Sequence, residues 1–289
     1  MDYKNLITTK FAVRDYKEKE VDQKTMKAIQ EYARKGERLI PDIEVDIRFM
    51  GEKEVYTQLD GFAGYQGNLI KGPHYMIVLS EKKEYAVENG GYIGEEVSLK
   101  AHELGVDSCW ITFSDSKTVI EKLNIVTDKE VVALLVLGYG KGKAQKTILG
   151  KVKTGGNYTK ADMSVKSSYS NKRLPIEEMV YMGEWEKKAT VDELLDRALY
   201  EPLSCATMAP STLSRQPWRF IIDGGKVILA LRKEEGIQPY EEKIDAGIVM
   251  LYFEVVVEQT LCKMKWQLGS VENQYGVPEE YEIVAVCNM

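Results

Sequence analysis

The stretch Ala206-Thr-Met-Ala-Pro-Ser-Thr-Leu-Ser-Arg-Gln-Pro-Trp-Arg-Phe220 carries a change of pattern: a helical period stops within it and an apolar strand, residues 218–222, begins. Pro210 fixes its own φ, and Ser211 beside it offers a backbone N–H and a hydroxyl to whatever lies in the turn. Pro217 biases Gln216 toward extended backbone, which predicts a straight entry into the strand. From spacing alone the segment is either an ordinary helix-to-strand loop or a cradle for a ligand.

Apolar periodicity alternates between helix and strand on both sides of this loop. Residues 191–199 have a helical period, residues 226–231 and 281–287 read as strands, and residues 246–259 form a strongly apolar helix with Asp245 as its cap. In the first half, Val21, Met26, Ile29 and Ala33 are spaced for a helix over 21–34, with Pro41 beyond it as a stop. Ile43, Val45, Ile47 and Phe49 alternate as in a half-buried strand, and residues 75–79 are a short buried one behind Gly72-Pro73. Gly90-Gly91-Tyr-Ile-Gly94 reads as the opening of a helix over 95–104 that stops at Gly105. Residues 106–113 lead into a helix over 117–123, and a strand over 131–137 ends at Gly138-Tyr-Gly140. Gly138-Tyr-Gly140-Lys-Gly142 lacks the spacing of a phosphate loop and reads as a turn. The Gly- and Lys-rich stretch to about residue 157, with Lys172-Arg173 after it, reads as an exposed connector.

The order of elements repeats. Val21-Asp22 before a helix answers Val191-Asp192, Gly90 to Ile93 answers Asp245 to Ile248, Trp110 answers Trp266, and residues 131–137 answer 281–287. Their common order predicts two tandem α+β units, 1–183 with the connector and a shorter 184–289, which imitate within one chain the two-fold interface of a homodimer.

Composition narrows the function classes. With 289 residues, 44% of them hydrophobic, the chain can bury a substantial core. Four scattered cysteines without a C-x-x-C pair, and two histidines, support neither a zinc site nor a disulfide framework, so a reducing cytoplasm is expected. A net charge of −6 argues against nucleic acid as a partner, and neither a signal peptide nor a run long enough for a membrane span is seen.

The loop resembles the Ala-Pro-Ser-x-x-Asn-x-Gln-Pro-Trp signature of FMN-dependent nitroreductases: Ala209, Pro210, Ser211, Gln216, Pro217 and Trp218 match, and Ser214 stands at the Asn position. Lys10-Phe-Ala-Val-Arg14 is similar to the family's Arg-Arg-Ser-x-Arg, whose basic residues hold the FMN phosphate and ribityl chain, with Ala12 at the Ser position. Read without the resemblance, Lys10 and Arg14 are either a solvated patch or a phosphate clamp. Asn171-Lys-Arg-Leu-Pro-Ile-Glu-Glu178 is similar to the closing Lys-x-Arg-x-Pro-x-Glu-Glu, which places Arg173 on the phosphate, with Lys172 standing in for the Lys replaced by Asn171. Gly105-Val-Asp-Ser-Cys-Trp-Ile111 resembles the segment that passes one face of the isoalloxazine, which makes Trp110, Ile111 and Thr112 backbone ligands of the flavin N5 and O4. Core packing is an equal reading for the Cys109 and Trp110 side chains. Gln66 is an expected contact of the pyrimidine edge.

The resemblance spans nearly the whole chain and is closest to a fused, double-unit branch called putative TM nitroreductases. It implies a three-layer α-β-α sandwich, an intramolecular pseudo-dimer that is a monomer in solution, and one FMN per chain, because each unit retains the part of the site that the other lacks. It further implies NADH or NADPH as reductant, a nitroaromatic, quinone or similar planar acceptor, and ping-pong hydride transfer through N5 without a catalytic side chain. The alternatives are a non-catalytic flavin or small-ligand module, and an enzyme of the same fold with other chemistry, such as reductive dehalogenation or ring dehydrogenation.

Overall fold

Two long helices that cross at glycines organise the molecule. A Cβ on Gly91 would lie 2.5 Å from the Ile244 carbonyl oxygen, and one on Gly247 would lie 2.0 Å from that of Glu88. Only hydrogen at these two positions lets the backbones come so close. The helices are α4 (Ala86–Glu103) and α8 (Pro239–Thr260), and nearly every residue of each between its first and last turns is buried. The structure, a computed structural model, describes residues 1–142, 173–233, 236–269 and 274–289.

One sheet lies on each side of this helix pair. The first holds β1 (Val45–Gly51), β2 (His74–Ser80), β3 (Asp107–Trp110) and β4 (Glu130–Gly138) in the order β1-β2-β4-β3, all antiparallel. Helices α3 (Glu52–Leu59) and α5 (Ser116–Lys122) cover its outer face, through Val55, Leu59 and Val119. This is the α-β-α layering expected from the family. The second sheet holds β5 (Val180–Met182), β6 (Trp218–Asp223), β7 (Lys226–Arg232), β8 (Trp266–Leu268) and β9 (Tyr281–Asn288) in the order β5-β6-β7-β9-β8. Phe253 of α8 packs between Phe220 and Trp266 on its inner face, with centroids 5.7 and 5.6 Å away. Its outer face carries Tyr275, Val277 and the stacked rings of Tyr181 and Trp185, 4.6 Å apart, in place of helices.

Three further helices are short, α1 (Tyr3–Thr9), α6 (Val191–Asp196) and α7 (Tyr200–Thr207); α2 (Gln23–Lys35) is longer and is capped by Asp22, which accepts from Thr25 N–H at 2.9 Å. β5 precedes residue 183 in the chain yet lies in the second sheet, parallel to β6.

Several boundaries differ from the sequence reading. α4 begins at Ala86, so Gly90 and Gly91 lie inside it, where close packing against Val132 and Ile244 requires them. α8 begins at Pro239 under a Gln238–Glu241 capping box, a turn and a half before Asp245, which caps nothing in its own helix. The helix expected over 191–199 breaks where Ala198 takes φ 55°, and α7 starts afresh at Tyr200. Among the described residues no helix is long and apolar enough to cross a membrane.

Candidate active site

Three segments of the first half converge beside β3. Val13 N–H donates to the Ser108 carbonyl at 3.2 Å, which lays residues 10–14 along the open edge of this strand. Gly64 N–H donates to the Thr112 carbonyl at 2.7 Å, so the turn that carries Gln66 at φ 53° is tied to the exit of β3. From the second half, the Tyr240 hydroxyl accepts from Phe113 N–H at 2.8 Å while its ring stacks on Phe113 at 4.9 Å.

Glu95 gathers the centre of this region. Its carboxylate, fully buried on α4, pairs with Lys10 Nζ at 2.9 Å and accepts from Trp110 Nε1 at 2.7 Å and from the Tyr252 hydroxyl of α8 at 2.8 Å. Gly94 leaves room for the indole, since a Cβ there would meet the Trp110 ring at 2.7 Å. Burial of a carboxylate is tolerable only with such a complement of donors.

The second half supplies the loop that follows α7. Arg173 donates to the carbonyls of Ala209 and Met208 at 2.8 and 3.0 Å. Burial pulls the Arg173 guanidinium down from its ordinary value, opposed by the Tyr252 hydroxyl. Gln216 is buried, accepts from Leu174 N–H at 3.0 Å and donates to the Thr207 carbonyl at 2.9 Å. The Ser211 hydroxyl accepts from Gln216 N–H at 3.0 Å, and both Asp245 carboxylate oxygens accept from Thr212 N–H at 3.0 Å. The loop is contorted: Leu213, Ser214 and Gln216 have φ of 52°, 58° and 52°. Gln216 is therefore left-handed and not extended, because its side-chain and backbone bonds outweigh the bias from Pro217.

The expected ligands divide accordingly. Lys10 is turned inward and paired with Glu95 at 2.9 Å, so that carboxylate competes with a phosphate for its charge. Ile111 N–H is used by the Leu134 carbonyl at 2.9 Å, so it cannot address a flavin. The Trp110 side chain faces α4, and Gln66 is exposed on its turn. Ala12 lies in the segment along β3, Pro210, Ser211 and Ser214 lie in the loop after α7, and Lys172 lies outside the described residues. Glu95, Tyr240 and Tyr252 escaped the sequence reading. A carboxylate in the middle of an apolar helix was the available signal for the first.

A flavin phosphate needs cations, and its ring needs an apolar wall. Arg14 is exposed beside Cys109 and Arg173 is half-buried among carbonyl oxygens, and neither has a carboxylate partner among the described residues. Of the large apolar side chains left exposed, Phe11 at 37%, Tyr65 at 61%, Met208 at 38% and Leu213 at 55% all belong to these segments. Two cations without counter-charges and four open apolar groups fit a planar anionic ligand of the FMN type.

Residues 2–257 match the family described as Putative TM nitroreductase. The chain belongs to this nitroreductase family. Its members are oxidoreductases by class, and so is this chain. A crystal structure of a putative nitroreductase from Thermotoga maritima msb8 superposes with a TM-score of 0.57 at 16% identity, covering 100% of this chain and 93% of that one, a likeness of fold. A nitroreductase with bound FMN from Bacteroides fragilis NCTC 9343 is 20% identical over 55% of this chain and 100% of its own, with a TM-score of 0.42. An FMN-dependent nitroreductase from Clostridium difficile R20291 is 20% identical over 56% of this chain and 94% of its own, at 0.40. Neither of these last two likenesses is close enough to carry an argument. No curated protein matches the chain.

Proposed function

We propose that this member of the nitroreductase family is an FMN-dependent NAD(P)H oxidoreductase that reduces nitroaromatics, quinones or similar planar acceptors by a ping-pong route, with one FMN per chain. FMN, when bound, supplies the hydride chemistry, and the chain binds it, orients it and limits access. Arg14 and Arg173 balance the phosphate, Pro210 and Ser211 approach the ring from the second half, and Thr112 presents its N–H at the exit of β3. Glu95 takes up the charge of Lys10 and holds Trp110 against α4, so the floor of the site is fixed before anything binds. Residues 1–183 and 184–289 act as two units whose seam is the α4–α8 crossing, with β5 of the first lent to the sheet of the second. The observation that carries this reading is the pairing of Arg14 and Arg173, unneutralised among the described residues, with the exposed Phe11, Met208 and Leu213 in the segments that resemble flavin-binding motifs.

The purified protein is expected to show a visible flavin absorbance band that NADH or NADPH bleaches under anaerobic conditions. Arg14→Glu is expected to release flavin on gel filtration while its circular dichroism stays that of the parent. A colourless parent that does not take up added FMN rejects the reading. The neutralised Lys10 favours a second one, a flavin-binding module without turnover, and binding without bleaching selects it.

A further inference from the structure

The two sheets follow one plan except at a single edge. The order β3-β4-β2-β1 answers β8-β9-β7-β6, with every neighbour antiparallel. Even the register shift recurs at the same junction, between Val78 and Leu79 of β2 against β4, and between Leu229 and Ala230 of β7 against β9. The second sheet then adds one strand more. β5 lies parallel to β6, pairing Val180 with Phe220, Tyr181 with Ile221 and Met182 with Ile222.

Beside β1 the matching position holds no strand among the described residues, which leaves a row of backbone N–H and C=O groups facing outward. A cavity of about 530 Å³ opens along this edge. Arg34 and Gln30 of α2 wall it on one side, Leu123 and Ile125 after α5 wall it on the other, and Ile47 and Phe49 of β1 lie between. Arg48 of β1 is already paired with Asp46 at 2.8 Å, and Glu54 of α3, which also lines the cavity, accepts from Gly51 N–H at 2.8 Å, whereas Arg34 is exposed and has no carboxylate partner among the described residues.

We propose that the β1 edge is a docking site for an extended segment of a partner polypeptide, which adds beside β1 as β5 adds beside β6. Main-chain hydrogen bonds supply the affinity and alternate side chains reach the two walls, the mode of recognition by strand addition. The peptide has a short apolar run and carries a carboxylate for Arg34. The internal precedent has that chemistry: Glu177 and Glu178 stand just before Met179-Val-Tyr-Met182. The assignment is independent of flavin binding, since none of the cavity residues belongs to the site described above.

The probe is the acetylated and amidated peptide Pro-Ile-Glu-Glu-Met-Val-Tyr-Met-Gly, copied from residues 175–183. Added to the full chain, it is expected to bind saturably and to slow backbone hydrogen exchange in β1. Arg34→Glu is expected to weaken binding about tenfold, the loss of one charge contact, with an unchanged melting temperature. The same peptide with Pro in place of its tyrosine, whose counterpart in β5 has its N–H on the β6 side, is expected not to bind, because a ladder donor is removed. Absence of saturable binding, or protection that spares β1, overturns the proposal. So does β1 protection that rises with protein concentration without peptide, which would assign the edge to a second copy of the chain.

Discussion

At the scale of the residue, Glu95 decides what the basic cluster near the N-terminus can do. The Lys10 side chain is only 7% exposed and Glu95 not at all, so their ion pair is a buried one. Removing one partner of such a pair strands the other charge and costs about 3–5 kcal/mol, whereas removing both costs far less. Glu95→Gln is therefore expected to lower the free energy of unfolding in urea by about 3–5 kcal/mol. Lys10→Met combined with Glu95→Gln is expected to recover most of that loss; strictly additive losses in a double-mutant cycle would place the two side chains out of contact. In the sequence Lys10 and Arg14 read as either a solvated patch or a phosphate clamp. The contact that diverts Lys10 joins positions far apart in the chain, and no local spacing encodes it. Arg14, which the fold leaves exposed, is the cation of this pair proposed for the phosphate.

At the scale of the element, periodicity located most helices and strands and misplaced their starts. Gly90-Gly91 looked like a helix opening because glycine is common at helix ends and costly within them. In the fold it sits inside α4, because the crossing with α8 and the contact with β4 demand the absence of a side chain. The same demand at Gly247 is stricter, since the obstacle is the Glu88 carbonyl and the Tyr92 amide, backbone atoms that cannot turn aside. Gly247→Ala is expected to destabilise the protein by about 3 kcal/mol in thermal or urea unfolding, at the upper end of overpacking effects. Gly225→Ala, whose Cβ would meet its nearest atom at an ordinary 3.5 Å, serves as the control and is expected to be near neutral. Equal effects at the two positions would contradict the close crossing. The short β5 and β8 were not legible, since three residues cannot display a period, and they form because a neighbouring strand edge is waiting for them.

At the scale of the whole molecule, the α4–α8 seam buries more acid than the proposed site uses. Burial pushes the Glu96 carboxyl up to about 7 and that of Glu254 up to about 8, from an ordinary 4.5. Glu88 and Asp245 are raised by burial as well. Tyr32 donates to Glu96 at 2.8 Å, Arg38 and Glu37 face it from the chain after α2, and Tyr92 and Glu258 act on Glu254 from α4 and α8. A carboxyl whose folded value lies above its unfolded one holds a proton that the unfolded chain has already released. Stability is then full below about 4.5 and falls as pH rises toward 8. Urea midpoints measured across this window are expected to decline, and Glu254→Gln, which carries no ionisable group, is expected to flatten the decline. Because His74 and His102 are lowered by burial and act in the opposite sense, the deciding comparison is with the variant: an equal pH dependence in the parent and in Glu254→Gln would refute the assignment.

By itself the sequence determined the alternation of helix and strand, the apolar faces that become buried, the family, and the motifs clustered in residues 10–14, 105–112 and 206–220. Those properties rest on interactions between near neighbours along the chain: the period of backbone hydrogen bonds, the alternation of side chains, and the constraints of proline and glycine. Only the tertiary structure decided that Lys10 meets Glu95, that Gln216 folds back into the left-handed region, that two glycines face each other across the seam, and that β1 keeps an open edge where β6 has β5. Each of these is a choice between partners distant in sequence. Close packing makes that choice, since it admits one arrangement of the buried charges and backbones and excludes the others.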